Sequence, residues 1–234
     1  MKVSCYCATY GRPHVLEESL ESFLRQNYEG EKELVILNDL KDNTLSFDHP
    51  QVKIFNVKDH ITPLGKKFNE TVKLCTGEIL FPWEDDDIFF PHKIKYTVEH
   101  MVRGFFHTGR AFFELEDKLI VTENYFHCNM AMSRELWNKV GGYSETIDNC
   151  TLDVDLMQRL KKEADFKGYD IDFEDIFYVY RWGTTGSYHA SGWGSKEGVK
   201  ISENVEKMVS DKDIVGNYIL KPFWKYDYHK AVKK

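Results

Sequence analysis

The chain has 234 residues, of which 42% are hydrophobic and 29% charged, enough for one substantial core and too apolar for a disordered chain. Its 31 basic and 38 acidic side chains leave a formal charge of −7, which disfavours broad, salt-driven binding to nucleic acid. The five cysteines are scattered and give neither a disulfide framework nor a paired CxxC zinc spacing. Reduced, buried thiols are expected, with Cys5 and Cys7 on opposite sides of their strand. The opening Met1-Lys2-Val3-Ser4 enters a strand-like run with no charged leader or long apolar stretch, so the expected location is cytoplasmic.

In chain order, residues 3 to 8 (VSCYCA) read as a buried strand, Thr9 to Pro13 as a turn, and residues 14 to 27 as a helix carrying Val15, Leu16, Leu20, Phe23 and Leu24 on one face. A second strand at 33 to 38 (ELVILN) ends at Asn38-Asp39, and a third spans 52 to 57. A helix near 64 to 75 follows, then Gly77 and a fourth strand from Glu78 to Pro82 or Trp83 that runs into an acidic cluster. This alternation predicts parallel strands with helices on both faces. Ligands of such sheets bind beyond the carboxyl ends of the strands. Thr9, Asp39 and the run Glu84, Asp85, Asp86, Asp87 all fall at such ends.

The second half is less regular. Runs at 110 to 115 and 118 to 122 predict a hairpin around Glu116-Asp117, and 125 to 132 another strand. Residues 133 to 140 form a helix capped by Ser133 and closed by Gly141-Gly142. A helix at 152 to 164, a strand at 175 to 181, a Gly/Ser/aromatic loop at 182 to 198 and a helix near 201 to 210 follow. The expected organisation is a single domain over 1 to 220, with a donor-binding half (1 to 100) and an acceptor half (101 to 200), and a basic-aromatic tail at 221 to 234.

Four consecutive acidic side chains at the end of an apolar strand repel one another unless a cation neutralises them. Oxygen-only ligands suit Mg²⁺ or Mn²⁺, which commonly use one or two carboxylates together with substrate phosphates. A solvated acidic loop is the bland alternative, and the flanking apolar runs GEILFPW and IFFP weigh against it.

The strand ending in Thr9-Tyr10-Gly11-Arg12-Pro13, the strand VILND ending at Asp39, and GEILFPWEDDDIFFPHKI together resemble the GT-A glycosyltransferases of family 2. The resemblance covers roughly residues 1 to 190. It implies an α/β, Rossmann-like GT-A fold and transfer of a sugar from a nucleoside-diphosphate sugar, a UDP-sugar by family habit, with inversion and with Mn²⁺ or Mg²⁺. By the same resemblance Thr9, Arg12 and Asp39 hold the nucleotide, Asp85 meets the ribose, and Glu84, Asp86 and Asp87 surround the metal. Two positions depart from the pattern: Glu84 stands where Asp is usual, and Asn38 replaces an acid before Asp39.

Such a reaction needs a base for the acceptor hydroxyl. Gly141-Gly142-Tyr143 followed by Leu152-Asp153-Val154-Asp155-Leu156 is similar to the family's Gly-Gly-Tyr segment and its acidic helix start, which makes Asp153 the expected base and Asp155 its competitor. A carboxylate that merely complements the helix dipole is the alternative. In the loop from Tyr180 onward, Arg181 is expected to neutralise the leaving diphosphate and His189 to join the metal or a phosphate. Lys66 and its neighbour Lys67 are further phosphate candidates.

The tail has five lysines and one acid interleaved with Phe223, Trp224, Tyr226 and Tyr228. That pattern fits a peripheral contact at the inner face of a membrane, stacking on nucleobases, a homodimer contact, or docking on its own domain. The acceptor stays open among glycans, lipid-linked carriers, proteins and modified nucleobases. The competing readings are a degenerate nucleotide-sugar-binding protein without turnover and a nucleotidyltransferase. The latter would want a Gly-rich basic loop where residues 9 to 13 carry one Gly and one Arg.

Overall fold

The computed structural model describes residues 1–115, 118–181, 215–225 and 228. Strands β1 (Val3–Thr9) and β2 (Lys32–Asn38) are buried along almost their whole length, as parallel strands covered on both faces must be. They pair in register from Val3 with Lys32 to Thr9 with Asn38. With β3 at Asn43–Ser46, β4 at Val52–Asn56 and β5 at Ile79–Pro82, β2 pairs parallel with β4 and β1 with β5. The carboxyl ends of β1, β2 and β5 therefore lie along one edge, bringing Thr9, Asp39 and Glu84 together.

Helix α1 (Pro13–Leu24) begins on a proline at its first turn, where the missing N–H costs nothing. Its Leu16, Leu20 and Phe23 pack with Val3, Cys5 and Cys7 on one side of the sheet. Helix α2 (Leu64–Leu74) places Phe68 and Val72 with Tyr6 on the other. Cys5 and Cys7 thus share a face, contrary to expectation, because side chains two apart on a strand point the same way.

Beyond β5 come β6 (Ile88–Phe89), α3 (Lys93–His100), β7 (Phe105–His107), β8 (Arg110–Leu115) and β9 (Lys118–Glu123). The strand expected at 125 to 132 is a 3-10 turn, His127–Asn129, followed by β10 (Met130–Ser133). Helix α4 (Arg134–Val140) is capped as expected: Ser133 Oγ accepts from the Leu136 N–H at 3.1 Å, and Gly141 closes it at φ 80°. Helix α5 spans Leu152–Glu163, β11 Tyr178–Arg181 and β12 Gly216–Ile219.

The main sheet runs β4-β2-β1-β5-β10-β7, antiparallel only at its β10 and β7 end. A second sheet, β6-β11-β8-β9, stands beside it, and the expected hairpin is its β8-β9 pair. Helices α1 and α3 cover one face of the main sheet, and α2, α4 and α5 the other. The described part of the tail packs on α1: the Lys221 N–H donates to Glu17 at 2.7 Å and the Lys225 N–H to Glu18 at 2.8 Å, while Tyr228 is fully buried. Docking on its own domain is what these tail residues do. Among the described residues no helix is long and apolar enough to cross a membrane. The 182 to 198 loop, the helix near 201 to 210 and His189 lie outside the described residues.

Candidate active site

A cleft of about 290 Å³ opens at the carboxyl ends of β1, β2 and β5. The acidic run forms its floor, held there by the elements around it. Ser19 Oγ of α1 donates to the Glu84 carbonyl at 2.7 Å. Thr9 Oγ1 donates to Asp85 at 2.6 Å, and Arg12 bridges Asp85 and Asp86, the latter at 3.1 Å. Burial alone would depress Arg12, yet Asp85 and Asp86 outweigh it and hold the guanidinium firmly charged.

The four acids do different things. Asp87 is fully buried and turned inward, accepting from Tyr178 Oη at 2.6 Å and the Arg181 N–H at 3.1 Å, so it ties the floor to β11. Glu84, Asp85 and Asp86 line the cleft. Burial pushes the Asp85 carboxyl up against the opposing pull of Arg12, and burial with repulsion from Asp86 and Asp153 pushes Glu84 well up. Among the described residues four carboxylates, Glu84, Asp85, Asp86 and Asp153, and two cations, Arg12 and Lys67, line the cleft, and Lys67 is already paired with Asp39. Glu84, Asp86 and Asp87 each offer an oxygen within 4.8 Å of the others. This all-oxygen set fits Mn²⁺ or Mg²⁺.

Asp39 is in place but fully enclosed. One oxygen accepts from Lys67 Nζ, and the other meets His60 Nδ1 at 2.9 Å and the Ile61 N–H at 2.7 Å. It therefore fixes Lys67 and the 60 to 62 segment, which line the cleft, while Asp39 itself does not. Lys67, 3% exposed, also donates to the Thr9 carbonyl at 2.6 Å. The neighbouring Lys66, the other phosphate candidate, is exposed and is not among the residues that line the cleft. Arg181, expected to meet the leaving diphosphate, lies behind the cleft floor. At 2% exposure its guanidinium is tied to Glu18, the Asp86 carbonyl and the Val15 carbonyl, and it does not line the cleft.

Asp153, at the first turn of α5, lines the cleft, and burial raises its carboxyl. Asp155 instead pairs with Arg159 at 2.6 Å on the same helix. The residue that the sequence reading passed over is His127. Its Nδ1 meets Glu84 Oε1 at 2.6 Å and its Nε2 meets Tyr143 Oη, which in turn meets Tyr6 Oη at 2.6 Å. Burial pushes His127 down to about 4, so the ring is neutral near pH 7. No motif flanks His127; only the extra reach of Glu84 over Asp hinted at such a partner. Tyr10 and His60, with ring centroids 4.2 Å apart, form an aromatic wall.

The fold and the acid-floored cleft define a GT-A type α/β protein. The chain belongs to glycosyl transferase family 2, whose model matches residues 4–135. Among solved structures, S. aureus TarS 1-349 superposes with a TM-score of 0.57 at 14% identity, over 77% of this chain and 60% of that one. The mannosyltransferase PcManGT from Pyrobaculum calidifontis, in complex with GDP-Man and Mn²⁺, gives 0.57 at 17% identity, over 79% and 58%. TarS 1-349 in complex with UDP-GlcNAc gives 0.54 at 13% identity, over 86% and 61%. At these identities the likeness establishes the fold, and the chain spans about 60% of the length of these structures. No curated protein matches the sequence.

Proposed function

We propose that this chain transfers a glycosyl group from a nucleoside-diphosphate sugar to an acceptor hydroxyl, inverting the anomeric carbon, with a UDP-sugar the first donor to test. The observation that carries this reading is the cleft floor, where the carboxylates Glu84, Asp85 and Asp86 line the same cleft as Asp153 and the cations Arg12 and Lys67. The structures named above contain UDP-GlcNAc in one case and GDP-Man with Mn²⁺ in another, and they share the fold of this chain. A divalent cation held by Asp86 and Glu84 would act as a Lewis acid toward the leaving diphosphate.

The chain's own groups do the rest. Arg12 pairs with Asp85 and Asp86 and orients them. Lys67 uses two ammonium protons on Thr9 and Asp39 and has a third for a donor oxygen. Tyr10 and His60 offer ring surface to the base. Asp153 takes the proton of the acceptor hydroxyl as it attacks, and the upward push of burial moves its carboxyl toward the operating pH, where a base is most effective.

The test is a screen of UDP- and GDP-sugars with Mn²⁺ or Mg²⁺ for release of free nucleotide. Asp153→Asn is expected to bind donor normally and lose turnover by roughly 10²–10⁴-fold, the usual span of general-base catalysis. Release that is unchanged in Asp153→Asn would refute the base assignment.

A further inference from the structure

Glu84 belongs to two donor sets. With Asp86 and Asp87 it forms the oxygen cluster already described; with His127 and Cys128 it forms a second, in which one carboxylate oxygen, one ring nitrogen and one sulfur lie within 4.8 Å of one another. We propose that Glu84, His127 and Cys128 form a separate site for a borderline-soft divalent ion, Zn²⁺ or Co²⁺, which competes with the oxygen site by taking Glu84 away from it. The competition rests on the proposed oxygen site; the mixed-donor site itself does not.

Three features support the site. The first is the donor chemistry: a nitrogen, oxygen and sulfur set selects zinc-like ions, whereas Mn²⁺ and Mg²⁺ prefer oxygen alone. The second is the outer shell. A ligating histidine usually donates its other ring N–H to a fixed acceptor, and His127 Nε2 already meets Tyr143 Oη. Tyr143 is itself fixed: its hydroxyl meets Tyr6 Oη at 2.6 Å, and its backbone N–H and carbonyl both bind the Asn69 side chain.

The third feature is access. Glu84 and His127 line the cleft, with the fully buried Cys128 next to them. Lys93 Nζ donates to the Cys128 carbonyl and pins the 3-10 turn that carries both donors. Zinc bonds of about 2.0–2.3 Å set tetrahedral donors roughly 3.3–3.8 Å apart, so Glu84 Oε1 and His127 Nδ1, now 2.6 Å apart, need to part by under about 1 Å while the Cys128 sulfur, within 4.8 Å of both, closes in by at most about 1 Å. On binding, Cys128 gives its thiol proton to water. The proton between Glu84 Oε1 and His127 Nδ1 is displaced, to water if Glu84 carries it or to the other ring nitrogen by tautomerisation, so that His127 turns the Nδ1 lone pair to the ion with its one proton on Nε2, and a cleft water takes the fourth position.

Cobalt reports the sulfur directly. Titration of the full chain with Co²⁺ under reducing conditions is expected to give a near-ultraviolet thiolate-to-cobalt charge-transfer band that saturates at one equivalent. Cys128→Ser and Cys128→Ala should abolish the band, His127→Gln should weaken Co²⁺ binding at least tenfold, and Cys150→Ser, which removes the exposed thiol at the cleft, should keep it. Circular dichroism of each variant checks that the fold is retained. Absence of the band in the wild type, its survival in both folded Cys128 variants, or its loss in Cys150→Ser would overturn the site. Excess Mn²⁺ is expected to raise the Co²⁺ concentration needed for half saturation. No such shift would overturn the shared use of Glu84. Failure of donor turnover, by contrast, would count against the glycosyl-transfer reading and leave the cobalt band untouched.

Discussion

Replacing Glu18 with glutamine separates an internal strut from a phosphate ligand. Glu18 and Arg181 are 6% and 2% exposed and form an ion pair. Arg181 also holds the Asp86 carbonyl through Nε and Asp87 through its backbone N–H, so the pair braces the cleft floor from behind. Glu18→Gln keeps the side chain's shape and an acceptor for the Lys225 N–H, but removes the carboxylate charge that pairs directly with the guanidinium. Removing one partner of a buried pair costs about 3–5 kcal/mol. The retained acceptor places the expectation near the lower end, about 3 kcal/mol, and for a chain of this size that lowers Tm by about 6–12 °C. Thermal and urea unfolding followed by circular dichroism give both quantities. A Tm within about 2 °C of wild type, equivalent to under roughly 1 kcal/mol, would refute the strut. So would an Arg181→Met variant that keeps its Tm but loses donor binding, since that pattern belongs to a phosphate ligand.

Three further outcomes follow from the same geometry. Tyr228→Ala empties a fully buried position beneath the tail and should cost about 3–5 kcal/mol, seen as earlier proteolysis of the C-terminal segment and a lower unfolding midpoint. Lys67→Met removes the cation paired with the enclosed Asp39 and should abolish nucleotide binding in calorimetry, whereas Lys66→Ala, at an exposed position, should leave it within twofold. Burial would raise the Glu33 carboxyl, but hydrogen bonds from Lys53, Ser4 and Thr76 overcome it and hold it down at about 2 from an ordinary 4.5. The stability Glu33 contributes is therefore full above pH 4.5 and is lost as the pH falls toward 2. Acid titrations should show Glu33→Gln less stable at neutral pH and flatter through that window.

The parallel half of the fold was legible because its signals are local. Strands such as VSCYCAT and KELVILN are continuous apolar runs, and α1 and α2 carry clear helical spacing. The remainder depends on partners far along the chain. β6 has two residues and β7 three, too short for periodicity, and β3 exists by pairing with β12 more than 170 residues later. Lys67 was separable from Lys66 in principle: it shares a helix face with Thr71, four residues on and fully buried. The pairing of Arg181 with Glu18, 163 residues away, was not legible, since no spacing rule reports such a pair. His127 was missed for the same reason: Glu84 and Tyr143, which define its role, belong to other elements.

The central claim is that the acidic floor holds a cation against a donor diphosphate, and calorimetry of UDP and GDP binding with and without Mn²⁺ tests it most directly. Wild type should bind one of these nucleotides at least tenfold more tightly with Mn²⁺ present, and Asp86→Ala should lose that enhancement while remaining folded. Nucleotide binding that is indifferent to Mn²⁺, or an enhancement that survives in Asp86→Ala, would contradict the claim.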